Sequence, residues 1–285
     1  MGGAVDDRGP DEVLTFRRFP ELPGVELLRG RRCRRLLTVF HETYAVGLLR
    51  RGSADYAYRG RLLRAAPGDL SAMEPGETHV TRRISGPLTF DVVFVDSAAV
   101  STLAVELGMS TPRPHLRLFQ LRHPPLFRSF DGVVRALDEG ATPLQQETRL
   151  LAGLRKLLDT CGEEAPRERT GTAELLALRR ARSILIDRAA EAVTLTELAR
   201  ETGLTRWHLV REFRRHVGLP PHRFQLAVRL TRARDLLARG ATVAETASAL
   251  GFSDQSHFHR HFRRSYGMTP CDYYRRLQNA VPEGC

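Results

Sequence analysis

Apolar residues follow two different rhythms along this chain. Between Val13 and Phe94 they come in short runs separated by turn residues, which is the pattern of β-strands. The predicted strands are 35–41, 44–51, 54–58, 61–65, 70–73 and 88–95. Gly52-Ser53, Arg59-Gly60, Pro67-Gly68, Pro75-Gly76 and Gly86-Pro87 mark the turns between them. Strands this short and this evenly spaced predict a closed barrel or a jelly roll. After the strands the spacing becomes helical, over 98–107, 125–137 and 143–158. In the last of these, Leu144, Leu151 and Leu158 stand seven apart with Leu154 between them. That apolar stripe suits either a partner helix, making a homodimer, or the chain's own barrel.

Residues 159–172 are polar, charged and interrupted by Gly and Pro, so they read as a linker. It separates a first domain, 1–158, whose first dozen polar residues are expected to fray, from a second, 173–279. In the second domain a helix over 173–190 precedes two similar units. Thr194, Glu197, Ala199 and Gly203 recur 48 residues later as Thr242, Glu245, Ala247 and Gly251. Leu209, Phe213, Arg214, Gly218 and Pro221 recur 49 later as Phe258, Phe262, Arg263, Gly267 and Pro270. A duplicated unit of this length is a specific signal. In each copy Thr and Glu form a capping box, Gly closes the first helix, and a second helix follows a new cap. A long helix over 221–239, opened by Pro221 and ended by Gly240, joins the copies. The expected fold class is therefore α+β: a barrel with trailing helices, then an all-α domain of two helix-turn-helix units.

Phe258 and Phe262, four apart, must face inward. Gln255, Ser256, His257, His259 and Arg260 then face solvent, and such donors and acceptors suit base edges in a major groove. Arg206, Trp207, Val210 and Arg211 are the matching set in the first copy. The segments RWHLVREFRRHVGLPPHRF and ALGFSDQSHFHRHFRRSYGMTPCDYYR carry a clear resemblance to the AraC/XylS family of bacterial transcription regulators. It covers about 100 residues, 173–277. The segments HETYAVGLLRRGSADYAYRG and APGDLSAMEPGETH resemble the cupin barrel at the N-terminus of many members. The resemblance implies a regulator that puts two helices per subunit into operator DNA. It also implies a barrel that binds a small organic effector, dimerisation through the helices after the barrel, and action on RNA polymerase.

Charge agrees with a nucleic-acid partner. The chain has 44 Lys plus Arg against 33 Asp plus Glu, a formal net charge of +11. From Gly171 onward 19 Arg face 11 acidic residues, whereas the first 170 residues hold 25 basic and 22 acidic ones. A basic second domain suits a phosphate backbone. Cys33, Cys161, Cys271 and Cys285 are scattered, giving neither a zinc motif nor a disulfide framework. No apolar leader or membrane-length run is found, so the expected location is the cytoplasm.

An enzyme is the alternative, a metal-dependent cupin fused to a DNA-tethering domain. Cupin metal sites resemble what is found here only in part. At His41-Glu42-Thr43 the second His of the first motif is missing, and His79 matches the last motif's His. Two imidazoles and one uncertain carboxylate make a poor metal site, so no metal or other cofactor is expected. His41, Tyr44 and His79 are instead the candidate effector-binding residues. His257, His259 and His261 alternate along one helix and cannot all face one ion; His261 is expected to meet backbone or solvent.

Overall fold

The computed structural model describes residues 12–109, 113–116, 119–163 and 173–278. Its strands are β1 (Val13–Arg18), β2 (Val25–Cys33), β3 (Thr38–Phe40), β4 (Tyr44–Tyr58), β5 (Arg61–Ala65), β6 (Leu70–Met73), β7 (Thr78–Val95), β8 (His115–Leu116), β9 (Gln120–Leu121) and β10 (Gly162–Glu163). The helices of the first domain are α1 (Ser97–Glu106), α2 (Pro124–Asp138) and α3 (Pro143–Cys161). Those of the second are α4 (Ala173–Asp187), α5 (Leu195–Thr202), α6 (Arg206–Val217), α7 (Pro221–Ala238), α8 (Val243–Ala249), α9 (Gln255–Tyr266) and α10 (Pro270–Gln278).

The predicted fold class is the observed one: an antiparallel sheet domain followed by a helical domain. The sheet runs β1-β2-β7-β4-β6-β9, with β3 on β7 and β5 on β4. Among the described residues this order has two ends, so hydrogen bonding does not close it into a ring, the first of the two forms expected. Five of the described strands, β1, β2, β8, β9 and β10, were missing from the sequence reading, the last three being two-residue pairings. β1 and β2 lie before residue 35, and β2 carries Arg29, Arg31 and Arg32, which weaken an apolar pattern. Buried Asp91 answers two of those charges, pairing with Arg29 at 3.2 Å and Arg31 at 3.1 Å, and also with Arg50. Gly52-Ser53 and Gly86-Pro87 are not turns but interior points of two long strands.

The register of β4 on β7 shifts between Leu49 and Arg51 and again between Arg51 and Ser53. Such bulges bend a strand and change which side chains face inward. One face of the sheet packs Val46, Leu48, Leu70 and Val93 against Leu126, Phe130 and Leu154 of α2 and α3. The other face surrounds a cavity. In α3, Leu154 and Leu158 belong to this core, while Leu144 and Leu151 are 73% and 41% exposed. The heptad stripe is thus split between two faces.

Helix α3 continues through Cys161, and Gly162–Glu163 pairs with β8, so the expected linker starts later than residue 159. Its remaining residues, 164–172, lie outside the described residues, as do 1–11 and 279–285. Cys33 and Cys161 are buried thiols, whereas Cys271 is disulfide-bonded, against the expectation from spacing. No helix among the described residues is long and apolar enough to cross a membrane.

Candidate DNA interface and effector cavity

Each predicted helix-turn-helix unit forms through the caps read from sequence. Thr194 with Glu197, and Thr242 with Glu245, make complete capping boxes on α5 and α8. Thr205 caps α6 and Asp254 caps α9, each accepting a bond from the backbone N–H three residues on. Gly251 turns the chain at φ +68°, where a Cβ would lie 1.9 Å from the Ala190 carbonyl oxygen. Only glycine fits there. Phe213, Phe258 and Phe262 are fully buried, so the opposite faces of α6 and α9 are left outward.

Those outward faces carry the predicted DNA residues. Trp207 is 70% exposed, which no packing role explains. The Arg211 guanidinium lies 4.8 Å above its ring and donates to Glu212 at 2.7 Å. Arg206, Trp207, Val210, Arg211 and Arg214 line one open groove together. On α9, Gln255, Ser256 and Arg260 are exposed and His259 is half-buried. Arg260 has no hydrogen bond or ion pair among the described residues, unlike Arg211. His257 is less free than expected: it faces His261 at 2.9 Å and Ser253 at 3.2 Å. His261 correspondingly meets His257, because residues four apart share a helix face, and remains half-exposed to solvent.

The inner face of the sheet encloses a cavity of about 90 Å³. Leu28, Tyr56, Met73, Phe90, Phe94 and Phe119 are among its walls. His41 and His79 also line it, with Nε2 of one and Nδ1 of the other 3.2 Å apart and their rings stacked at 5.3 Å. Burial pushes His79 down to about 4, and burial, His79 and Arg234 hold His41 well below its ordinary value. Both rings are therefore neutral near pH 7. The one group of three metal-type ligands among the described residues, Glu174, His208 and Glu212, lies elsewhere, between α4 and α6.

Tyr44 does not belong to the cavity. It packs with the α2–α3 core and donates its hydroxyl to the Pro114 carbonyl at 2.9 Å. The reason is strand parity. On β4, Gly47 and Leu49 face the cavity, so Tyr44 faces away; beyond the bulges the even position Tyr56 faces in. Tyr56 and Phe119 are the site residues that sequence reasoning missed. The Gly52 turn signal was the available clue to the change of parity.

The ladder of β3 on β7 separates the cavity from the helical domain. Val39, His79 and Thr81 face the cavity. Phe40 and Val80 face the other way, into a core with Leu209, Phe213 and Phe224. Thr78 donates to the Val217 carbonyl at 3.0 Å and Arg82 to that of Gly218 at 3.3 Å, so this wall caps the C-terminal end of α6. Thr231 of α7 donates to the Phe40 carbonyl at 3.0 Å. Nearby, buried Arg234 pairs with Glu26 and lies 4.5 Å over the Phe16 ring, and Arg232 pairs with Glu42 at 2.8 Å.

Comparison with known proteins agrees with both halves. Residues 39–154 match the model of an AraC-like ligand binding domain, and residues 198–276 that of a helix-turn-helix domain. The chain belongs to the AraC family. AraC-family relatives include an uncharacterised regulator, YbfI, of Bacillus subtilis, 27% identical over 223 residues, or 76% of this chain and 79% of that one. The transcriptional activator RhaS of Salmonella arizonae is 36% identical over 100 residues, about a third of each chain (35% and 36%). Among solved structures, ToxT of Vibrio cholerae with unsaturated fatty acid bound shares the fold, at a TM-score of 0.54 and 11% identity. That match covers 97% of this chain and 99% of ToxT. The protein is thus an AraC-family transcriptional regulator with a ligand-binding domain and a helix-turn-helix domain.

Proposed function

We propose that this regulator acts in the cytoplasm as a homodimer, reads an operator through α6 and α9, and adjusts that binding when a small organic effector enters the cupin-like cavity. The observation that carries the reading is the shared β3–β7 wall: cavity-facing His79 alternates with Thr78 and Val80, which touch the helical domain. Trp207, Val210 and Arg211 read one major groove, while Gln255, Ser256, His259 and Arg260 read the next. Helix α7 has 18 residues, a span of about 27 Å, against about 34 Å between successive grooves on one face of DNA. Contact with RNA polymerase follows from the same reading. An enzyme is not favoured: the relatives are regulators, and His41 and His79 have no third ligand among the described residues. ToxT, which shares the fold, is seen with an unsaturated fatty acid bound, which supports a small molecule as the occupant of this cavity.

Sequencing DNA that the protein retains from a random pool tests the reading. The expected result is two conserved elements about one helical turn apart per subunit. Recovery of DNA without a common element would overturn it. Metal analysis of the purified protein separates the enzyme reading: stoichiometric iron, manganese or zinc would favour it.

A further inference from the structure

We propose that the effector is an uncharged ring compound bearing one hydroxyl or carbonyl group. The inference rests on the regulator reading above and names the class of molecule that its cavity takes. The argument begins with the walls. Tyr56 and Phe119 stand edge to face at 6.1 Å, and each lies within 6 Å of the His79 ring, at 5.6 and 5.9 Å. Phe94 lies 5.9 Å from His41. Aromatic rings therefore converge on the two imidazoles, and a flat ligand finds stacking and edge contacts there.

Charge is the second consideration. Arg35 and Asp69 are the charged residues of the lining, and both are already answered by the protein. Arg35 pairs with Glu12 at 3.0 Å. Asp69 accepts from the Ala66 backbone at 2.9 Å and from Gln120 at 2.8 Å. Arg234, behind His41, is held by Glu26. A carboxylate entering this cavity would lose its water and find no unanswered cation, which is costly. A cationic ligand meets the same obstacle.

Polar capacity is the third. The His41–His79 bond uses one nitrogen of each ring. Whichever ring donates, the pair keeps one N–H donor and one bare acceptor nitrogen, with no further partner among the described residues. The Tyr56 hydroxyl is likewise unpartnered there. A hydroxyl can accept from that donor and donate to that acceptor, a carbonyl can answer the donor, and a bare hydrocarbon leaves both unmet in an apolar cavity. A polyol would bury more hydroxyl groups than this lining can answer.

The test is calorimetry on the full chain at pH 7 with 2-naphthol, 2-naphthoate, naphthalene and L-rhamnose as probes. The expected result is that 2-naphthol binds at least about tenfold more tightly than each of the others. His79→Phe is expected to bring 2-naphthol and naphthalene to within about twofold of each other, since the discriminating group is then gone. Tyr56→Phe is the milder variant should His79→Phe fail to fold, and is expected to narrow the same ratio. Equal or tighter binding of 2-naphthoate, preference for the sugar, or no binding of 2-naphthol would each overturn the proposal. Retention of a common DNA element by the same preparation distinguishes failure of this class from failure of the regulator reading.

Discussion

Phe40 and Thr78 are direct partners across the β3–β7 ladder, and both are hydrogen-bonded to the helical domain. The Thr78 hydroxyl ends on the carbonyl of Val217, at the C-terminal end of α6. Thr78→Val keeps the shape and removes the donor. It is expected to destabilise the protein by about 1–3 kcal/mol, because a carbonyl at the domain interface loses its partner. Denaturant melts measure this. If transmission runs through the wall, the variant also loosens the link between cavity occupancy and DNA affinity.

Arg234 and Glu26 join the domains in a buried pair. Glu26→Gln leaves a buried guanidinium short of its counter-charge and is expected to cost about 3–5 kcal/mol. A melting temperature unchanged from wild type would show that the two domains do not rely on this pair.

The two arginines of the recognition helices are not equivalent. Arg211 is engaged by Glu212 and stacked on Trp207, whereas Arg260 is free of such partners among the described residues. Arg260→Ala is expected to weaken specific DNA binding by about 1–3 kcal/mol and to relax preference at its own base positions. Arg211→Ala is expected to cost less, since its bond to Glu212 must be given up on binding. Titration of single-base operator variants checks both. A uniform loss over all sequences would move these arginines from bases to phosphates.

The exposed part of α3 is the expected dimer contact. Leu144→Glu with Leu151→Glu changes only the outward face and should yield a folded monomer by light scattering. Leu154→Glu, by contrast, puts a charge into the core and should unfold the domain, at a cost of several kcal/mol. A double variant that stays dimeric would rule out this face.

Stability should fall in mild acid. His79 is lowered to about 4 in the folded chain, against 6.5 ordinarily, so the unfolded chain takes up protons first. Folding is therefore weakened as pH drops from about 6.5 toward 4, and His41 acts in the same direction. Melting curves from pH 7 to 4 should show a steeper decline for wild type than for His79→Phe.

The helical domain was legible almost residue by residue. Its caps, glycines and buried phenylalanines are local signals, repeated twice, and local signals survive without knowledge of the fold. The sheet was legible in part. Its strands near turns were found, while β2 was hidden by arginines whose partner, Asp91, lies about sixty residues away. His41 and His79, each singled out by its own motif, line the cavity. Tyr44 was misplaced because inward and outward positions exchange at a bulge, and alternation alone does not reveal where that occurs. The engagement of Arg211 by Glu212 was out of reach, since it depends on rotamers, whereas the His257–His261 pair was open to the four-residue spacing.

The wall between cavity and helical domain is one strand pair thick, and its alternation separates two kinds of change. Residues 39, 79 and 81 touch whatever fills the cavity; residues 40, 78 and 80 touch the helices. Natural variation, or an engineer, could therefore exchange the inner set to accept a new inducer while leaving the output surface intact. The same thinness sets a limit. A substitution that shifts the shared backbone rather than a side chain would alter both at once, producing regulators that are permanently on or off with nothing bound.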